Sequence, residues 1–211
     1  MGFRERVMGI PWVYKYFGSG IGKPESGAWF ANEIIRAAPK ARILDVGCGP
    51  ADVVSRLGDV SYLGIDHNPK YIETARARFG SRAEFHCWDV TDTRLTALGK
   101  FDIVLILGVL HHLTDGEIHT MLQHTSTTLK PGGRLITLDC AVDCGQHPIA
   151  RILARLDRGR YARTTDRYRE LISKHLTPVE VVVRHDLLRV PYTHTIITAV
   201  SYTHLTLPTK A

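Results

Sequence analysis

The sequence predicts an α/β fold built on a mainly parallel sheet. Apolar runs alternate with helical patterns from Arg42 onward. Strand–helix–strand alternation at this spacing implies parallel strands joined by right-handed crossovers. The most apolar run, FDIVLILGV (101–109), reads as a central strand covered on both faces. A chain of 211 residues makes one domain, or one domain with a small appendage.

Hydrophobic residues make up 44% and charged residues 23%, near the average for soluble globular proteins. That composition excludes a disordered chain, a collagen-like fibre and a disulfide mini-protein. The longest apolar stretch, Ile103 to Leu110, is far shorter than the roughly 20 residues of a membrane span. The segment MGFRERVMGI has no apolar core long enough for a secretory signal, and Met1-Gly2 lacks the Ser or Thr that myristoylation wants at position 6. Cys48, Cys87, Cys140 and Cys144 do not form a disulfide framework in a chain of this size, so a reduced, cytoplasmic protein is the simpler reading.

The remaining elements follow in order. RILDVG (42–47), SYLGIDH (61–67), AEFHCWDV (83–90) and GRLITLDC (133–140) are the other parallel-strand candidates. Asn68 caps a helix over Pro69–Phe79, with Pro69 at the first position, where a missing N–H is harmless. Thr114 and Glu117 have capping-box spacing for a helix running to Lys130, and Lys130-Pro-Gly-Gly133 turns it into the fifth strand. Two helical segments fill residues 1–41, the first carrying Trp12, Tyr14, Tyr16 and Phe17 as a lid or as packing on the sheet edge. Residues 147–176 are helical, with Ile149, Ile152, Leu153 and Leu156 on one face. After Pro178, VEVVVRHDLLRV and THTIITAV have no crossover helix between them and should pair antiparallel.

The net charge of +6 is local. Residues 151–189 hold ten Lys or Arg against five acids, which leaves the rest of the chain at +1.

Ligands on such sheets bind at the carboxyl ends of the strands. The first strand ends Asp45-Val-Gly47-Cys-Gly49-Pro-Ala51-Asp52. Glycines there let the backbone turn tightly and approach a ligand, and a following helix N-terminus offers free N–H groups to an anion. An ordinary tight turn has the same pattern. Asp66 ends the second strand, where a carboxylate accepts from two ribose hydroxyls or starts a helix. Asp89 ends the third, where it accepts from an adenine amino group beside Val90 or forms a turn before Thr91. Three acids at the ends of consecutive strands converge on one edge.

LDVGCGPA, GIDHNPKYIETAR, CWDV, FDIVLILGVLHHL and LKPGGRLI stand in the order and spacing of a known family. From Ile43 to Asp139 the chain resembles the class I S-adenosylmethionine-dependent methyltransferases of small-molecule type. The resemblance implies a Rossmann-like seven-stranded mixed sheet of order 3-2-1-4-5-7-6, strand 7 antiparallel, with helices on both faces. It implies a single domain over residues 1–199, with 1–41 a lid and 147–176 a basic insert. It implies S-adenosyl-L-methionine as cofactor, with Asp45 and the Gly47 and Gly49 backbone on the methionyl end. Asp66, with His67 beside it, would hold the ribose, Asp89 and Val90 the adenine, and the backbone of Leu107 the amino group. Ala51 stands where the family often has a third glycine; its methyl crowds the loop slightly while suiting a helix start. A nicotinamide enzyme would want glycine at Asp52, whose charge would repel a pyrophosphate.

His111 and His112 follow the fourth strand, and an imidazole there can serve as catalytic base; packing and a backbone bond account for the pair equally. His119 and His124 read as surface residues. Cys140, Cys144 and His147 lack a fourth ligand, so no metal is expected. No NPPY-like tetrapeptide follows the fourth strand, which disfavours nucleic-acid adenine and glutamine as acceptors. The acceptor is expected to be a small molecule. Arg151, Arg155, Arg158, Arg160, Arg163, Arg167 and Arg169 of the insert suit an acidic one, and the apolar face beside them suits a lipid-linked one or an anionic membrane; a solvated face fits equally. Nucleic acid is not expected as a partner, and the chain reads as a monomer or homodimer. A nucleic-acid-binding methyltransferase and a non-catalytic binding protein remain the alternatives. Residues 200–211 resemble a translated sequencing adapter and are set aside.

Overall fold

The protein is described by a computed structural model covering residues 22–156 and 160–201. Seven strands are Arg42–Val46 (β1), Ser61–Ile65 (β2), Ala83–His86 (β3), Phe101–Leu107 (β4), Leu129–Cys140 (β5), Val179–Arg184 (β6) and His194–Val200 (β7). They form one sheet of order β3-β2-β1-β4-β5-β7-β6. The first five are parallel, and β7 runs antiparallel to both β5 and β6. This is the Rossmann-like mixed sheet that the resemblance implies.

The helices are Pro24–Trp29 (α1), which continues as a π-helical turn over Phe30–Ile35, then Pro69–Phe79 (α2), Asp115–Ser126 (α3), Pro148–Leu156 (α4) and Thr165–Ser173 (α5). Alternate strand residues feed two cores. Ile43, Leu105, Leu138 and Ile196 pack with Phe30, Ile35 and Ile72 on one face. Leu44, Val104, Leu135 and Ile197 pack with Ile118, Met121, Tyr168 and Ile172 on the other. Burial of each such side chain contributes about 1.5–3 kcal/mol, which explains why β4 is apolar at nearly every position.

Local chemistry sets the boundaries. The Asn68 side chain accepts from Lys70 N at 3.0 Å and starts α2 at Pro69. Thr114 accepts from Glu117 N at 3.3 Å while Glu117 accepts from Thr114 N at 2.8 Å, completing the capping box of α3.

Several expected boundaries shift. α3 ends at Ser126 rather than Lys130. There, Thr125, Ser126, Thr127 and Thr128 hydroxyls bond back to carbonyls three or four residues earlier and compete with the helix. β3 ends at His86, the residue paired with the last residue of β2, so Asp89 lies beyond the strand rather than at its end. The chain after the glycines forms only a 3-10 turn, Asp52–Arg56, instead of the expected helix N-terminus. Residues 147–176 form two helices, not one run, and α4 sits rotated from the expected stripe. Ala150 and Ala154 are buried and Leu153 packs on the core, while Ile149 and Ile152 are 49% and 55% exposed. The Ile149 and Ile152 branches reach past the packed edge that the small alanines fit.

Trp12, Tyr14, Tyr16, Phe17 and Arg158, and the side chains of Arg155 and Leu156, lie outside what is described. Val200 and Ser201 continue the ladder beside Arg134 and Gly133; residues 202–211 also lie outside it. Among the described residues, no helix is long and apolar enough to cross a membrane.

Arg163 fastens the insert to the segment after β4. Arg163 Nε donates to Asp115 Oδ1 at 2.8 Å, and its terminal nitrogens donate to the carbonyls of Leu110, Tyr161 and Leu113 at 2.9, 2.7 and 2.7 Å. Only 9% of its side chain is exposed. Arg167 also pairs with Asp115 and with Glu170. Arg163→Met should lower stability by about 2–4 kcal/mol through lost charge-assisted bonds, measured by urea unfolding. Arg163→Lys should restore little, because one ammonium cannot make the fork of contacts.

Candidate functional site

The carboxyl ends of β2, β1 and β4 sit side by side in the sheet, and the site grows from them. Gly47 and Cys48 N–H both donate to Ile65 O at 2.8 Å, pinning the loop after β1 to the end of β2. Gly47 has φ +79°, and a Cβ there would meet Val109 Cγ2 at 2.4 Å. Only glycine allows that approach. Gly49 has φ +54° with no heavy atom within 4 Å of where a Cβ would stand, so its backbone faces open space.

Asp66, 6% exposed, fixes this loop. Its Oδ2 accepts from Gly49 N at 2.9 Å and its Oδ1 from Asn68 N at 2.8 Å. From behind, Arg78 of α2 donates to Pro50 O at 3.2 Å and pairs with Asp52. Ala51 corrects the sequence expectation. It is fully buried with φ 59°, so the position favours glycine for its left-handed backbone, not for a helix start. An L-residue there carries on the order of 1–2 kcal/mol of strain.

Asp45 lies one strand inward, 2% exposed. Its Oδ2 accepts from the Tyr62 hydroxyl at 2.5 Å; its buried Oδ1 has no partner among the described residues. Burial pushes the carboxyl up to about 7; the Tyr62 bond opposes this and the nearby Asp66 adds to it. Tyr62 is a site residue that sequence reading missed, since an aromatic in a strand reads as core.

The loop after β3 continues the rim. The Trp88 ring stacks on His86 at 4.3 Å between centroids, and Arg94 lies over it at 4.4 Å. This holds Asp89 outward and Val90 buried. Asp89 Oδ1 accepts from Thr91 N and Oγ1 at 2.9 and 2.6 Å, so it forms the turn, and these bonds hold its carboxyl below the usual range. His67, its ring mostly exposed, stands beside Asp66 at 3.7 Å; its carbonyl accepts from Cys87 Sγ at 3.6 Å. These bonds join the loops after β1, β2 and β3, which carry Gly47 and Gly49, Asp66 and His67, and Asp89 and Val90, with Asp45 buried in β1.

Leu107 closes β4 and is buried; Gly108, φ +69°, turns the chain after it. The structure separates the two histidines. His112 is exposed. His111 is buried, with Nδ1 2.7 Å from Asp139 Oδ1 and its backbone N–H donating to the same oxygen at 3.2 Å. A carboxylate only accepts, so Nδ1 carries the proton and Nε2 is the basic nitrogen. Asp139, at the end of β5, was read only as part of an apolar run. Nothing local marks a pairing across 28 residues of sequence. Burial raises its carboxyl, and the His111 bond opposes that. His194, at the start of β7, is buried in the same region, which drives its imidazole down to about 3.

His147 Nδ1 accepts from Ile149 N at 3.2 Å at the start of α4. Among the described residues, no three His, Cys, Asp or Glu side chains stand together as a metal site.

A methyltransferase-domain family model matches residues 43–133. A ubiquinone biosynthesis O-methyltransferase from Xanthomonas campestris pv. campestris is 31% identical over 105 residues, 47% of this chain and 43% of that protein. Trichosetin synthetase PKS-NRPS1 of Gibberella fujikuroi is 29% identical over 147 residues, 64% of this chain and 3% of that protein. The chain thus spans less than half the length of these relatives. Human N-acetylserotonin methyltransferase in complex with SAM shares the fold at TM-score 0.66 and 18% identity, covering 95% of this chain and 62% of that one. A Haemonchus contortus phosphoethanolamine N-methyltransferase 2 in complex with S-adenosyl-L-methionine shares it at TM-score 0.71 and 14% identity, covering 91% and 56%. With this sheet order and this glycine loop, the matched methyltransferase domain has the fold of the class I S-adenosylmethionine-dependent methyltransferases. The family's methyl donor is S-adenosyl-L-methionine.

Asp45 gives a pH signature. Its folded pKa lies above the ordinary carboxyl value of 3.8, so the folded state holds a proton that the unfolded chain has lost between about pH 4 and 7. Its contribution is therefore complete at acid pH and is lost as pH rises through 7. Thermal melts of ligand-free protein should show this fall. Asp45→Asn should flatten it relative to the parent, by a few kcal/mol at neutral pH.

Proposed function

We propose that this chain transfers the methyl group of S-adenosyl-L-methionine to a small-molecule acceptor that gives up a proton, a hydroxyl before an already basic amine. The observation that carries the reading is the His111–Asp139 pair at 2.7 Å, on the same rim as the glycine loop. The similarity to a protein named for O-methylation supports oxygen as the reacting atom.

The donor suits the residues present. Its ammonium end complements Asp45 Oδ1, the buried acceptor with no partner among the described residues. The open face at Gly49 admits backbone approach. Asp66, and His67 beside it, would hold the ribose, Asp89 and Val90 the adenine, and Leu107 the amino group through its backbone. When bound, the donor supplies an electrophilic methyl on a sulfonium. The chain orients the acceptor in line, excludes water, and takes the acceptor proton at His111 Nε2 while Asp139 stabilises the imidazolium. His112, being exposed, serves as pocket wall rather than base.

The acceptor also fits an apolar tail better than several acidic groups. Arg163 and Arg167 are consumed by Asp115, Glu170 and carbonyls, whereas Ile149 and Ile152 are exposed. The exposed apolar pair favours a lipid-linked acceptor. Residues 1–199 would form one catalytic domain. The four cysteines, none in a disulfide, suit a cytoplasmic setting.

Screening metabolite pools with isotope-labelled donor tests the reading; transfer to a hydroxyl-bearing small molecule is expected, and no labelled product from any pool would count against it. Asp66→Ala should weaken donor binding by on the order of 2–3 kcal/mol in calorimetry, since a buried charged acceptor is removed. His111→Asn should leave donor affinity within about twofold and lower kcat by about 10²–10⁴-fold.

A further inference from the structure

Near the His111–Asp139 pair lies a group of buried polar atoms with no hydrogen-bond partner among the described residues. Thr137 and Asp139 alternate along β5 and point to the same face of the sheet as Leu135, against the core containing Tyr168. Thr195 is the direct cross-strand partner of Asp139 in β7 and shares that face with Ile197. All three residues are 1% exposed. Thr137 Oγ1, Asp139 Oδ2 and Thr195 Oγ1 have no hydrogen-bond partner among the described residues.

Side chains two apart on one strand and directly across on the next lie within reach of one small bridging molecule. Two threonine hydroxyls would not be kept beside a buried carboxylate oxygen unless something joined them, because valine has the same shape without the desolvation cost. A ligand that donates to Oδ2 and also donates to or accepts from each hydroxyl satisfies all three atoms at once. Water does this with its two donors and two acceptors, and immobilising one molecule costs less than leaving three polar atoms unpaired.

We propose that Thr137, Asp139 and Thr195 form an internal polar chamber that binds one water molecule, which fixes the Asp139 carboxylate so that its other oxygen stays turned to His111. Thr137 and Thr195 are then positioning residues. They touch neither donor nor acceptor, and they act on His111 only through Asp139. The link to catalysis rests on the proposed methyl transfer; the chamber itself does not.

A crystal structure of the full chain at about 1.5 Å or better should show solvent density within hydrogen-bond distance of all three oxygens. A Thr195 hydroxyl turned directly onto Asp139 with no solvent beside it would overturn the proposal. NMR of ¹⁵N-histidine protein reads the consequence without any acceptor. The parent should show a slowly exchanging, downfield His111 Nδ1 proton. Thr137→Val with Thr195→Val should broaden or lose that signal and shift the His111 titration by at least half a pH unit. Thr137→Ser with Thr195→Ser should return both. A valine variant with an unchanged His111 spectrum would sink the idea. If these readouts hold while labelled-donor screening finds no methylated product, it is the methyl-transfer reading that fails and not the chamber.

Discussion

The site depends on Asp66. One oxygen takes the N–H of Gly49 and the other the N–H of Asn68, so a single buried carboxylate sets the glycine loop and the start of α2 together. The dependence is electrostatic as well as geometric. Two backbone dipoles aimed at one carboxylate let it sit 6% exposed. The Cys48 and Gly47 N–H groups on Ile65 reinforce the same junction, and Arg78 braces the loop from behind. Removing the carboxylate would loosen the loop before any ligand is considered.

The other half of the rim is organised from the insert. Arg163 draws the segment after β4 and the segment before α5 together through the Leu110 and Leu113 carbonyls and Asp115, and Tyr161 N–H reaches the His111 carbonyl at 3.1 Å. The histidine turn is thus held by backbone contacts from the insert and by Asp139 from the sheet. An arginine-rich segment that looks like an anion trap in composition is, at Arg163 and Arg167, internal fastening. Its solvent-facing surface includes Arg160, Arg169 and also Ile149 and Ile152, which α4 leaves outside while Ala150 and Ala154 are buried.

Much of the fold was legible because its signals are local. Asn68-Pro69, the Thr114–Glu117 box and the apolar runs each dictate a boundary through neighbours in sequence, and the resemblance supplied the strand order. The three acids and the glycines were visible for the same reason. What escaped depends on distant partners. The Asp139 role needs a histidine from the preceding loop, and Tyr62 needs Asp45 across a strand pair. Neither His111 nor His112 was distinguishable until β5 placed a carboxylate beside one of them. The Ala51 backbone sign and the end of α3 follow from geometry and hydroxyl competition that residue type alone does not encode. The rotation of α4 was missed because isoleucines outrank alanines in apolarity but not in fit.

The reversed direction of β7 has a consequence for how such a protein diversifies. The residues proposed for the donor side come from the first half of the chain, Asp45 to Val90 with Leu107, whereas the His111–Asp139 pair is backed by Thr195 of the reversed strand. Changes accumulated near the far end of the chain reach that pair first. The surroundings of that pair can drift while the stretch from Asp45 to Val90 stays untouched.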